Sequence, residues 1–130
     1  MTGEKNIENL LKNMNPVLNT GDFVFCTVPS INKIDLSQII GSFKEVEGTT
    51  LILSKAYADE IALEYSSIMS WITLQVHSSL EAVGLTAAFS KLLAEYNISC
   101  NVIAGYYHDH IFVMKKDAKK AMELLSSLNS

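Results

Sequence analysis

The basic residues of this chain include no arginine: all ten are lysine, against fourteen Asp and Glu residues, for a net charge of −4. The forked guanidinium of arginine is the group that proteins usually use for bidentate contacts with phosphates and base edges. The one basic cluster, four lysines between Lys115 and Lys120, has Asp117 among them and fits a solvated helix face. We therefore expect no nucleic-acid partner.

Cysteines and long apolar runs are also scarce. The two cysteines, Cys26 and Cys100, fall in predicted strands, where free thiols behave as small buried hydrophobic groups. No apolar run approaches the roughly 20 residues that span a bilayer, although the mean hydropathy is +0.20. The N-terminal segment MTGEKNIENLLKNM lacks the basic and apolar regions of a secretory signal. These absences predict a cytoplasmic protein with reduced thiols and no membrane segment.

Sequence motifs of catalysis are missing as well. The chain has no G-x-S-x-G elbow, no G-x-G-x-x-G turn and no P-loop, and neither cysteine has an identifiable basic partner. His108 and His110 are the exception, because alternate strand residues face one side, and with His77 they would form a metal site. Asp109 also favours a turn, and Tyr106–His110 fits a polar hairpin tip, the interpretation that we favour. We expect no catalytic residue, no metal and no cofactor.

The same order of strands and helices occurs twice along the chain. The first half has a helix at 6–14, a strand at 22–28, a short helix between Asp35 and Gly41, a hairpin of 43–46 with 49–53, and a helix at 55–63. The second half has a strand from near Ser67 to 76, a helix that ends at Asn97, a hairpin of 98–104 with 110–114, and a helix capped by Asp117. The repeated order predicts an α+β protein of two ferredoxin-like βαββαβ units, at 1–66 and 67–130, packed as one compact body.

Two helices of the second half carry an apolar stripe that predicts its core. The stripes are Ala82, Leu85, Phe89, Leu92 or Leu93 and Tyr96 in the first helix, and Ala118, Ala121, Met122, Leu125 and Leu128 in the last. This half ends in its helix, so it lacks a last strand of its own. The first half or a second copy of the chain must fill that position, since an open sheet edge invites association. We therefore expect a homodimer or a larger homo-oligomer.

Three segments of the second half, Val76–Ala88, Asn97–Ile103 and Tyr107–Val113, resemble the ACT domain, a small regulatory module that usually binds amino acids. The first half is similar to it only as a degenerate copy. The pattern is most similar to stand-alone tandem ACT-like proteins related to the ACT segments of aspartate kinases. The resemblance implies a ligand between two ACT units, held by the turn after the first strand of one and the second strand of the other.

The resemblance implies nine ligand-binding residues. They are Ser78, Ser79, Leu80, Glu81, Val83, Gly84, Leu85, Asn101 and Val102. Ser78-x-x-Glu81 also has the spacing of a capping box, which would leave fewer helix N-terminal amides for a ligand carboxylate. Gly84 is predicted one turn into the helix, where glycine costs about 1 kcal/mol relative to alanine. Close approach of a ligand or tight helix packing would explain a glycine there.

Taken together, the sequence predicts a non-catalytic regulatory protein that binds an amino acid or a related small metabolite. One alternative is a structural or assembly protein whose ACT-like pocket is vestigial. Another is a small enzyme that uses His77, His108 and His110, with or without a metal ion.

Overall fold

The structure is a computed structural model of the chain, and it describes residues 12–75 and 84–128. Its strands are β1 Asn15–Leu18, β2 Phe23–Val28, β3 Gly41–Lys44, β4 Thr49–Ser54, β5 Met69–Gln75, β6 Cys100–Ala104 and β7 Asp109–Met114. Its α-helices, apart from the helical residues Lys12 and Asn13, are α1 Lys55–Glu60, α2 Leu85–Glu95 and α3 Ala118–Ser127. Most of the helix expected at 6–14 lies outside the described residues.

The chain forms two compact units. The central unit comprises residues 20–69, and the terminal unit combines the residues before Thr20 with those from Ser70 onward. The division differs from the sequence boundary at 66/67, because the first residues of the chain group with the second half of it. In both units an antiparallel hairpin follows a strand and a helical segment, and a helix follows the hairpin. This is the ferredoxin-like arrangement that the repeated order predicts.

The central unit has the strand order β3-β4-β2, with Met69 at the start of β5 paired to Phe23. Its core contains side chains from alternate positions of β2 and β4 together with one residue of α1: Val24, Cys26, Val28, Leu51, Leu53 and Ala58. The short helix expected after Asp35 is only a 3-10 turn, Leu36–Gln38. The Asp35 carboxylate accepts from the Ser37 amide at 3.0 Å, and the chain is extended again at Ile39. Gly41, expected to end that helix, instead begins β3.

The terminal unit has the strand order β1-β5-β7-β6. β1 runs antiparallel to β5, with Asn15 opposite Gln75 and Leu18 opposite Ile72. Among the described residues no strand follows α3, and β1, from the first half of the same chain, fills the position next to β5. A second copy of the chain is not needed for this purpose.

The core of the terminal unit lies between its sheet and the helices α2 and α3. Its buried residues are Met14, Ile72, Leu74, Leu85, Phe89, Leu93, Ile98, Ile111, Val113, Ala118, Ala121, Leu124 and Leu125. Leu92, Met122 and Leu128 pack against it, so most of the two predicted stripes is confirmed. Tyr96 was wrongly expected in the first stripe and is exposed, because α2 ends at Glu95 and the following backbone leaves the helical path. The ammonium group of Lys120 lies 5.2 Å from the centre of its ring.

The N-terminal caps of the helices agree only partly with what the sequence predicts. Ser54 caps α1, since its hydroxyl accepts from the Tyr57 amide at 3.1 Å. Asp117 does not cap α3, which corrects the expectation. A 3-10 turn, Lys115–Asp117, leads from β7 directly into the helix, so Asp117 already has right-handed helical dihedral angles and makes no capping bond.

Helices α1 and α2 end in the same way, with a residue in the left-handed conformation. The residue is Asn97 after α2, as expected, and Ala62 after α1, with φ values of 59° and 58°. The Ala62 and Leu63 amides donate to the carbonyls of Asp59 and Ala58 at 3.2 and 2.9 Å. These two bonds form a Schellman motif, which usually has glycine at this position. Alanine there is strained by its Cβ atom.

The hairpin between β6 and β7 turns through four residues, Gly105 to His108. The Gly105 amide donates to the His108 carbonyl at 2.9 Å. Tyr106 and Tyr107 are 86% and 80% exposed, and their rings meet edge to face with centres 5.0 Å apart. The favoured interpretation of Tyr106–His110 as a hairpin tip is therefore confirmed, except that β7 already begins at Asp109. A Cβ atom at Gly105 would lie 2.7 Å from the His108 carbonyl oxygen and 3.1 Å from His110 Nε2.

We predict that Ala62→Gly stabilises the protein by about 0.5–1 kcal/mol, because relief of left-handed strain exceeds the entropy cost of glycine. Denaturant titration measures the change. The matched control is Ala87→Gly on the exposed surface of α2, which should destabilise by about 1 kcal/mol. Equal losses in both variants would show that Ala62 is not strained.

We predict that Gly105→Ala destabilises the protein by about 1–3 kcal/mol, because the added methyl group overlaps the His108 carbonyl and the hairpin has to move. Gly41→Ala is the control, since its Cβ atom would lie 3.4 Å from the end of the Ile52 side chain, an ordinary contact. Thermal melts of both variants check the prediction. Melting of the two variants at the same temperature would contradict it.

Candidate functional site

The nine residues implied as ligand contacts divide into two groups. Ser78, Ser79, Leu80, Glu81 and Val83, and with them the Ser78–Glu81 capping box, lie outside the described residues. The other four are Gly84, Leu85, Asn101 and Val102. The structure places these four at the start of α2 and on β6.

Gly84 stands at the N-cap of α2 and not one turn inside the helix, which corrects the expectation. Its backbone is left-handed, with φ 95° and ψ −11°. This conformation favours glycine whatever lies nearby, so neither a close ligand nor tight packing is needed to explain the residue. Gly84 provides no side-chain cap, and α2 has no acidic residue in its first turn. The first backbone amides of α2 are therefore capped neither by a side chain of the N-cap residue nor by a carboxylate in the first turn of the helix.

Leu85 and Val102 belong to the hydrophobic core. Leu85 is 3% exposed, and Val102 lies opposite Ile111 and packs against the core of the terminal unit. Asn101 is paired with Phe112 on β7, so its side chain lies on the face of the sheet away from Val102, and it is exposed. Because neighbouring strand residues face opposite sides, the Asn101 and Val102 side chains do not share one ligand face.

The sheet of the terminal unit has a second face, opposite its core, and this face carries a polar cluster. We name it the Trp71 cluster; it contains Asn19, Trp71, Thr73, His110 and Phe112. Trp71 Nε1 donates to His110 Nδ1 at 3.0 Å, and Thr73 Oγ1 lies 3.2 Å from the same nitrogen. Asn19 Nδ2 donates to Thr73 Oγ1 at 2.9 Å and to the Trp71 carbonyl at 3.2 Å. The cluster thus ties the end of β1 to β5 and β7.

The electrostatics of the Trp71 cluster favour a neutral histidine. Burial lowers the pKa of His110 below its ordinary value, and the nearby His108 lowers it further, against a smaller opposite effect of Asp109. The hydrogen bonds of the cluster also require a neutral His110. An indole N–H only donates, so Nδ1 must accept and the ring proton lies on Nε2.

Aromatic packing completes the cluster. The ring of Trp71 stacks on Phe112 with centres 5.9 Å apart and an angle of 20°, and it lies 5.7 Å from the ring of His110. Phe112 is only 1% exposed although it belongs to the second face. Sequence reasoning considered Trp71 and His110 separately and missed the cluster. The available signal was the alternation of Trp71 with Thr73 and of His110 with Phe112, which places each pair on one strand face.

A metal site is not assembled in the part of the chain that the structure describes. No group of three or more His, Cys, Asp or Glu residues there lies close enough to hold a metal ion. His110 Nδ1 is already an acceptor for Trp71, and His77 lies outside the described residues. Cys26 and Cys100 are free thiols. Burial raises the pKa of both, which is opposite to the activation of a nucleophilic thiol.

The described helices include none that is long and apolar enough to cross a membrane. Comparison with protein families gives two adjoining matches to the ACT domain, at residues 2–70 and 66–127. No protein of curated function matches the chain.

Several solved structures do match the chain. A Vibrio cholerae protein of unknown function, described as a possible transport protein, is 50% identical, with a TM-score of 0.89 over 99% of this chain and 100% of that one. An Agrobacterium tumefaciens protein superposes with a TM-score of 0.73 at 13% identity over 90% of each chain. The ligand-free regulatory subunit of Thermus thermophilus aspartate kinase superposes with a TM-score of 0.62 at 6% identity, over 88% of this chain and 97% of that one. The last two likenesses concern the fold alone.

The two ACT matches together cover residues 2–127, and their junction falls where the repeated order of elements begins again. The protein belongs to the ACT-domain family and carries two ACT domains in tandem.

Proposed function

We propose that this protein is a non-catalytic regulatory module that binds a small amino acid or a related metabolite. The observation that carries the proposal is the pair of ACT domains that occupies nearly the whole chain, because ACT domains are typically regulatory modules that bind amino acids. His110 does not favour an enzyme, since its Nδ1 atom accepts a hydrogen bond from the indole of Trp71. A cytoplasmic location is part of the same proposal.

The ligand site that we propose retains the nine residues implied by the ACT resemblance. Two of the described residues have groups suited to an amino acid. The left-handed Gly84 leads into α2, and amides in the first turn of a helix attract a carboxylate. The exposed amide of Asn101 offers both a donor and an acceptor. Leu85 and Val102 would contribute through their backbone. The remaining members of the proposed site are Ser78, Ser79, Leu80, Glu81 and Val83.

A homodimer or larger homo-oligomer also remains our proposal, although its original reason has changed. β1 fills the fourth strand position of the terminal unit, so a missing strand no longer requires a partner. The support is now the outer strand β3, which pairs with β4 alone among the described strands and carries Phe43 at 72% exposure. Such an edge favours association.

We predict that light scattering at tens of micromolar gives a multiple of the chain mass, because the unpaired edge of β3 and its exposed phenylalanine favour pairing between chains. A mass near 14.4 kDa would show that the protein is a monomer. Phe43→Lys is the variant that tests the surface, since a charge at an edge strand opposes association. Tyr106→Lys, at another exposed aromatic residue, is its matched control.

We predict that at least one member of a panel of amino acids and related metabolites raises the melting temperature. A ligand at a hundredfold excess over its Kd stabilises the folded state by about 2.7 kcal/mol, a shift of several degrees. Asn101→Ala should weaken binding about tenfold, the loss of one hydrogen bond. The control is Ser42→Ala, an exposed strand residue of the central unit. The absence of any shift across the panel would favour a vestigial pocket.

A test of Gly84 needs a variant that its left-handed backbone tolerates. A β-branched residue is strained at φ 95°, so Gly84→Val would disturb the start of α2 whether or not a ligand binds there. Gly84→Asn is sharper, because asparagine tolerates the left-handed region. In the same titration this variant should keep its melting curve and lose the ligand, since a side chain would occupy the approach to the amides. Unchanged affinity would remove Gly84 from the site.

A further inference from the structure

The outer strands of the terminal unit differ in how well their free edges are protected. Among the described strands, β1 pairs with β5 alone and β6 pairs with β7 alone. β1 carries Pro16, a residue that opposes the addition of a further strand. β6 has no proline and no charged residue, and its register with β7 runs from Cys100 to Ala104 without a bulge. β6 therefore lacks the proline, charge and bulge that usually keep a further strand away.

The absence of charge extends past both ends of β6. No Asp, Glu, Lys or Arg occurs between Glu95 and Asp109, although 18% of the chain is charged. Within this stretch Asn101, Ile103 and Ala104 are exposed, and the large apolar side chain of Ile103 is 39% exposed. A second chain with the same sequence would therefore meet no like charge along this strand.

The hydrogen bonds of the hairpin show which backbone groups of β6 point away from β7. The Gly105 amide donates to the His108 carbonyl, so these two residues form a hydrogen-bonded pair in line with the register of the strands. Along an antiparallel ladder, hydrogen-bonded pairs alternate with pairs that are not hydrogen-bonded. Ile103 and Asn101 are therefore bonded to β7. The residues whose N–H and C=O groups point outward are Cys100, Val102 and Ala104.

These outward groups are arranged symmetrically about Val102. In an antiparallel pairing that places Val102 opposite the partner's Val102, Cys100 lies opposite the partner's Ala104. Every outward N–H and C=O group of both strands then has a partner, and any other register that preserves the faces leaves some of them unpaired. Because the same patch occurs on both chains, a twofold axis closes the contact.

The side chains also fit this register. With the twofold axis perpendicular to the sheet, residues that lie opposite each other share a face. Asn101 then lies opposite the partner's Ile103 on the second face, and the two Val102 side chains, which are β-branched and suit a sheet surface, meet on the core side. We propose that β6 is a pairing surface for a second copy of this chain, joined in an antiparallel ladder centred on Val102.

Pairing through β6 rests on the proposed homo-oligomer and names an edge by which two copies join. It is independent of association through β3, because the two strands belong to different units. The proposed ligand site also uses the backbone of Val102, so the protein is tested without added ligand. A panel of amino acids without any effect would therefore leave the β6 pairing unaffected.

Light scattering on variants tests the pairing. Phe43→Lys removes association through β3, and this variant should keep a mass twice 14.4 kDa at tens of micromolar. Ile103→Lys added to it places like charges near the twofold axis and should halve the mass. The matched control adds Ala94→Lys on the exposed surface of α2 and should remain a dimer.

Two results would overturn the β6 pairing. One is a dimer that persists when Ile103→Lys is added to Phe43→Lys. The other is a monomer in Phe43→Lys alone: if the wild-type protein is an oligomer, this result places the association at β3 and leaves the proposed homo-oligomer intact, whereas a monomeric wild-type protein contradicts both.

Amide hydrogen exchange on Phe43→Lys keeps the proposal testable if Ile103→Lys fails to fold. The amides of Asn101 and Ile103 are bonded to β7, so they should be protected at every concentration. The amides of Cys100, Val102 and Ala104 should be protected in the dimer and lose protection when dilution separates the copies. A contact elsewhere on the surface would not produce this alternation within one strand. Outward amides that exchange freely at the highest concentration would contradict the proposal.

Discussion

The pairing of β1 with β5 is the constraint on which the terminal unit depends. Four residues near the start of the chain occupy the position next to β5 that the second half leaves empty. The pairing joins segments more than fifty residues apart, so forming it carries the entropy cost of closing a long loop. The same pairing brings Asn19 against the Trp71 carbonyl and Thr73. The sheet of the terminal unit and the polar cluster on its second face thus both depend on the pairing of β1 with β5.

The Trp71 cluster shows how a sheet face accommodates buried polar groups. Thr73 is buried, and an unpaired hydroxyl there would cost about 1–3 kcal/mol. Asn19 donates to it and His110 Nδ1 lies within hydrogen-bonding distance, so the buried hydroxyl has two partners. The arrangement requires a neutral imidazole, because Nδ1 of His110 accepts the hydrogen bond from the indole of Trp71.

Periodicity predicted the fold well because it depends on local spacing. The repeated order, the Schellman end at Asn97 and most of the core stripes follow from which residues recur at each turn of a helix or face of a strand. Several failures occurred at helix ends, above all at helix starts, where one or two residues decide the outcome. A helix was expected after Asp35, but the Asp35 carboxylate forms a local bond with Ser37 and only a 3-10 turn results. Asp117 fails as a cap because the 3-10 turn before α3 already makes it helical.

The candidate site was harder to predict, because strand geometry and tertiary packing decide which side chains reach a ligand. Asn101 and Val102 are adjacent in sequence, yet their side chains lie on opposite sides of the sheet. Leu85 was predicted both as a ligand contact and as part of the apolar stripe of its helix, and in the structure its side chain is buried in the core. Gly84 was explained by what might approach it, whereas its own left-handed backbone is sufficient reason for a glycine. At the two ends of α2 the left-handed conformation therefore has two roles: Gly84 starts the helix where a ligand is proposed, and the exposed Asn97 ends it just before the buried Ile98.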